Sequence, residues 1–434
     1  MASYKCQGWC LEYSESRIRK EICKGADINT PIQEGVTYLM LAESESLVRD
    51  LLARGADPKA IDEECRTALW MREFQQKEVG ALRAILEAGC DVNATDIRGE
   101  TAIEHCIDPQ AVKLFIEYGA DVNHADNEGN TPLHFAVEPE TIEILVEAGA
   151  NVNAATTFEF GEDELEVGEW PCGTTPLMLA RDYECAKYLI DHGADINAIT
   201  RGGYSVLMYL LVEFETGPVV AVMNAGPKMN VTAQDGNTPL HLIYSSFKSC
   251  LAEYAEPCCS RELMVDVVKK VLESGCDPNA VNQDGQTPLH CIGSGYAMEE
   301  VIRAGGDIER RDNKGNTPII MAAFRNYKCI NVLLGAGADV NAVNNEGQNA
   351  LFFINEIRTA NLLIKAGINV NCQDKYGNTP LHIMVERRRD DLVRYLLKNH
   401  ADPGITNHLG KKAIDDNELH KYEKQRHKLC IRKK

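Results

Sequence analysis

An all-α solenoid of about twelve helix-turn-helix units with projecting β-turn loops is what this 434-residue sequence predicts, on three observations. The motif Gly-x-Thr-Pro-Leu-His stands intact at Gly129–His134, Gly236–His241, Gly285–His290 and Gly377–His382. Degenerate copies begin at Gly35, Cys65, Gly99, Gly173, Gly203, Gly315, Gly347 and Gly410, and successive starts lie 30, 34, 30, 44, 30, 33, 49, 30, 32, 30 and 33 residues apart. The period is therefore 30 to 34 residues with two insertions, and the apolar residues inside each period fall at helical spacing.

In the copy at Gly129 each residue type has a chemical reason. Thr131 is expected to cap a helix through its hydroxyl, and Pro132 suits the first helical position, where its missing N–H costs nothing. Leu133 and Ala136 are expected to face inward, the small Ala admitting a second helix whose inner face carries Ile142, Leu145 and Val146. Gly149 would end that helix in the left-handed conformation glycine tolerates best. Asp126, Asn127, Glu128 and Gly129 form a polar, projecting turn. Most 30-residue periods lack about three residues between the helices, which predicts a tighter helix–helix turn there. Tyr38, Ala68, Ala102, Val206, Ala350 and Ala413 replace the Pro, so those copies are expected to be less firmly capped; Cys65 replaces the turn Gly.

Thr131 to Ala136, Thr-Pro-Leu-His-Phe-Ala, and Gly119 to Asn123, Gly-Ala-Asp-Val-Asn, carry the resemblance of this chain to the ankyrin repeat family, which extends over about residues 16 to 418. The resemblance implies a curved array whose turn tips and first helices line a concave, partner-binding face. It also implies that the motif His, here His134, His241, His290 and His382, joins neighbouring turns by hydrogen bonds.

A stack exposes apolar faces at both ends unless its terminal copies are modified. Residues 1–33 are expected to form an N-terminal capping unit with a helix at Ser16 to Cys23, residues 34–408 the repeat array, and residues 409–434 a C-terminal cap and basic tail. The insertions fall at about 155–172 and 245–262. The first is acidic, with Glu159, Glu162, Asp163, Glu164, Glu166 and Glu169 beside Phe158, Phe160, Leu165 and Trp170, and lengthens an exposed turn. It reads equally as a grip for a basic partner and as a tolerated surface excursion. The second is expected to extend the first helix of its copy and carries Cys258 and Cys259, whose adjacency does not match the spaced ligand pairs of zinc sites.

The composition fits that of a folded globular protein, with 44% apolar and 25% charged residues and a mean hydropathy of −0.27. No apolar run approaches the ~20 residues a membrane span needs, and the first residues lack a signal-peptide core. Sixteen cysteines in 434 residues follow no paired spacing, and Cys90, Cys276 and Cys372 stand where sister copies carry Ala, so a reducing, cytoplasmic setting is expected. A net charge of −20 disfavours nucleic acid as a partner. No phosphate-binding, metalloprotease, serine-hydrolase or EF-hand signature is present, so no catalytic, cofactor or metal residue is assigned.

The expected function is that of a non-enzymatic, monomeric scaffold binding protein partners through its concave face and loop tips. The candidate contact residues are Glu128, Glu159, Glu162, Asp163, Glu164, Trp170, Lys314, Glu346 and Tyr376. Two alternatives stand beside it: a host-directed effector of an intracellular bacterium or virus, and an enzyme with a site at an insertion.

Overall fold

The computed structural model describes residues 14–32, 34–70, 79–157, 170–213, 216–243, 257–325 and 327–414. Among them every regular element is a helix, and the chain divides into two compact units. The first comprises residues 1–202 and 215–227; the second comprises 203–214 and 228–434. Each is a stack of helical hairpins, and no described helix is long and apolar enough to cross a membrane.

In the first unit the helix Glu15–Cys23 leads, with Ile18 and Ile22 buried. Its Glu15 carboxylate accepts from the Ser44 N–H at 2.6 Å and the Ser44 hydroxyl at 2.9 Å, tying it to the start of helix Glu45–Ala53. The hairpin Pro132–Phe135 and Pro139–Glu147 shows the repeat's logic. Leu133, Ile142 and Leu145 are buried as their spacing predicts, but Ile144 is buried where Val146 was expected, and Ala136 is only half-buried. The reason lies in the backbone. The first helix stops at Phe135, and Ala136 is extended with ψ at 119°, so it does not lie on a helix face.

The same observation corrects the expectation of a tighter helix–helix turn. In the 30-residue periods the first helix shrinks to four residues, as in Tyr38–Leu41, Pro288–Cys291 and the single 3-10 turns Ala102–His105, Pro176–Leu179 and Ala350–Phe353. Periods of 32 or 33 residues keep seven or eight, as in Val206–Glu213, Pro318–Arg325 and Pro380–Glu386. The missing residues therefore come out of the first helix, which leaves the second helix at its full nine residues in Pro109–Glu117, Tyr183–Asp191 and Ile357–Lys365. In the second insertion, residues 257–262 belong to the second helix of their hairpin, Pro257–Glu273, and not to the first, which ends at Leu242.

Side-chain amides stitch successive repeats. Asn93 donates to the Gly119 carbonyl at 3.0 Å and accepts from the Asp121 N–H at 2.8 Å; Asn123 does the same with Gly149 and Asn151. In the second unit Asn279 and Asn341 repeat the pattern. Glu309 stands at that position and keeps only the accepting half, from the Asp339 N–H.

Cys65 keeps the left-handed turn that glycine makes elsewhere, with φ at +64°. Its N–H still bonds the Asp62 carbonyl at 3.1 Å, so the turn survives at the cost of side-chain crowding. Cys65→Gly is expected to stabilise the first unit by about 0.5 kcal/mol, the relief of crowding being partly offset by a more flexible unfolded chain. A raised thermal midpoint checks this.

Candidate protein-interaction surface

The projecting turns are built by one carboxylate or amide each. Asp126 Oδ1 accepts from the N–H groups of Glu128 and Asn130, both at 2.8 Å, and Oδ2 accepts from Asn130 Nδ2 at 2.8 Å. Asp312 does the same for Lys314 and Asn316 and Asp374 for Tyr376 and Asn378, while Asn344 Oδ1 accepts from the Glu346 and Gln348 N–H groups and its Nδ2 donates to Asn316 Oδ1. Each tip is then held from its other side. The Glu128 carbonyl accepts from the Thr157 N–H at 2.7 Å, Lys314 from Asn345 at 3.0 Å, Glu346 from Lys375 at 2.7 Å, and Tyr376 from His408 at 2.9 Å. Glu128, Lys314, Glu346 and Tyr376 therefore have backbones fixed in both directions.

In the second unit this ladder brings Lys314, Glu346 and Tyr376 onto three consecutive tips. Lys314 is exposed, Glu346 half-buried, and Tyr376 56% exposed. Lys375 links two of them, with Nζ 2.6 Å from Glu346 Oε1 and 5.1 Å from the centre of the Tyr376 ring. Donating a hydrogen bond to the Glu346 carboxylate raises the Lys375 ammonium above its ordinary value. The pair presents a cation and an aromatic face together, with a carboxylate behind them.

In the first unit Glu128 is half-buried and its carboxylate lies 3.5 Å from Asn130 Nδ2. Trp170 ends a line of rings. Trp70 lies 5.1 Å from His105, His105 5.9 Å from Phe135, and Phe135 5.2 Å from Trp170 between ring centroids. Trp70, Phe135 and Trp170 are half-buried and His105 is exposed, with Nε2 2.7 Å from the Glu100 carboxylate. Sequence reasoning named Trp170 alone. The signal for the others was their place in the repeat, since Trp70 stands at the motif His position and His105 and Phe135 each stand one residue after it.

The first insertion has a closed base. Thr156 and Thr174, 2% and 0% exposed, exchange bonds across it, and both hydroxyls donate to the Pro171 carbonyl, at 2.6 and 2.7 Å. Glu159, Glu162, Asp163 and Glu164 lie outside the described residues.

The motif histidines are structural. The Thr131 N–H donates to His134 Nδ1 at 3.0 Å, which leaves the proton on Nε2 to donate to the Thr174 carbonyl of the next repeat at 3.2 Å. The Thr131 hydroxyl is also bonded to Nδ1 at 3.0 Å, so the expected threonine cap is a threonine–histidine pair. His241, His290 and His382 reach Gln286, Asn316 and Lys411 in the same way at 3.0, 3.0 and 3.1 Å. Burial disfavours the charged ring at three of them, pushing His134 down to about 4 and lowering His241 and His290.

Family models for ankyrin repeats match residues 70–156, 172–201, 257–344 and 363–415, together more than half of the sequence. The chain belongs to the ankyrin repeat family. Ankyrin repeats are generally protein–protein interaction modules and are typically non-enzymatic, which fits a site made of fixed turn tips. The described hairpin formed by Tyr38–Leu41 and Glu45–Ala53 follows the same pattern.

Proposed function

We propose that this ankyrin repeat chain is a non-enzymatic scaffold that holds protein partners on the concave face and loop tips of its repeats. The observation that carries this reading is the doubly anchored tip. Lys314, Glu346 and Tyr376 have backbones immobilised by neighbouring turns, so a partner loses little affinity in ordering them. Trp70, His105, Phe135 and Trp170 add an aromatic strip of the kind that anchors interfaces. Monomeric behaviour and a reducing, cytoplasmic compartment belong to the same reading. Burial pushes Cys106, Cys185 and Cys329 up to about 12, so these thiols are inert.

Tyr376→Ala combined with Lys314→Glu, and separately Trp170→Ala, are expected to weaken at least one partner complex by about 2 kcal/mol, with helicity and melting unchanged. Affinity capture followed by titration with the purified partner measures this. Full binding by these variants to every partner, with loss only in the core variants Leu133→Ala or Leu381→Ala, would remove the tips and strip from the account.

A further inference from the structure

The four motif histidines share one hydrogen-bond valence: Nδ1 accepts from the Thr beside it, and Nε2–H donates to the next repeat. In the repeat beginning at Gly99 that position is Glu104, 4% exposed. Its Oε1 takes the place of Nδ1, accepting from the Thr101 N–H at 3.0 Å and the Thr101 hydroxyl at 2.8 Å. Its Oε2 is buried with no partner. The next repeat places Asn130 at the sequence position of Thr174, Gln286, Asn316 and Lys411, whose backbone carbonyls accept from the histidines, and its side-chain Oδ1 is also buried with no partner. An ionised Glu104 leaves both Oε2 and Asn130 Oδ1 as acceptors with no donor between them. A carboxylic acid offers one acceptor and one donor, as a neutral imidazole does.

We propose that Glu104 is held as a neutral carboxylic acid whose Oε2–H donates to Asn130, making the junction between these two repeats a link that opens on deprotonation. Burial supports this, pushing the carboxyl up to about 8 against the two Thr101 donors, and the carboxylates of Asp126 and Glu100 push the same way. Asp126 is committed to its own turn, and Glu100 to His105 at 2.7 Å and Arg98 at 3.9 Å. The flanking repeats place Trp70 and the neutral His134 at the same position, so neither supplies a cation there.

The sign follows from where the proton sits. The fold binds it more tightly than the unfolded chain between the ordinary value of 4.5 and about 8. Stability from this group is therefore greatest below that window, falls as pH rises through it, and is level above it.

The test uses the full chain with Glu104→His, which restores the motif, and Glu104→Gln. The ratio of folding equilibrium constants, wild type over the non-titrating Glu104→Gln, is expected to fall by up to about tenfold per pH unit within the window. Infrared difference spectra of the wild type should show a protonated-carboxyl band at pH 6 that is lost through about pH 8 and is absent from Glu104→Gln. Parallel stability curves, or no such band at pH 6, would overturn the proposal. The infrared measurement on the wild type stands even where a variant fails to fold.

Discussion

Replacing His290 by alanine is expected to destabilise the second unit by about 2–4 kcal/mol, because it strands buried donors as well as opening space. His290 is 1% exposed and Thr287 is wholly buried. Without the ring, the Thr287 N–H at 3.0 Å and its hydroxyl at 2.9 Å lose their acceptor, and the Asn316 carbonyl keeps only the Asp312 N–H at 2.9 Å. Denaturant unfolding with an unchanged slope would register the loss as a shift in midpoint. The same chemistry gives a pH dependence. The fold holds His134 neutral down to about 4 against an ordinary 6.5, so the unfolded chain binds more protons in between. Stability from this ring is full above that window and is lost as pH falls through it.

The second large effect is expected at Gly236, where alanine should cost about 2–4 kcal/mol through backbone conformation and overlap together. Gly236 has φ at +82°, and a Cβ there would lie 2.7 Å from Asn282 Cα, an atom of the next repeat's backbone that cannot turn aside. Gly275 is the control. Its φ is +88° but a Cβ would meet nothing within 4 Å, so Gly275→Ala should cost only about 1 kcal/mol. Equal losses at the two positions would mean that close turn-to-turn approach is not what glycine provides at Gly236.

The stacked hairpins were legible because Gly-x-Thr-Pro-Leu-His encodes its own geometry, down to the imidazole that crosses to the next repeat. The length of the first helix was not legible. A three-residue deficit can shorten a turn or a helix, and only the extended backbone at Ala136, Cys106 and Ile292 shows which yields. The turn tips were readable from Asp-x-x-Gly, whereas the ring line was not, since Trp70 and Trp170 lie a hundred residues apart and meet only through His105 and Phe135. Glu104 looked like a degraded motif residue, and its meaning depends on burial and an unpartnered oxygen.

Photo-crosslinking from single positions in complex with a purified partner tests the central claim most directly. Crosslinkers at Lys314, Glu346 or Tyr376, or at Trp170, should yield partner adducts, while exposed positions on second helices, such as Lys113, Glu117 and Lys398, should yield none. Adducts confined to the second helices, with the tips and the aromatic strip silent, would contradict it.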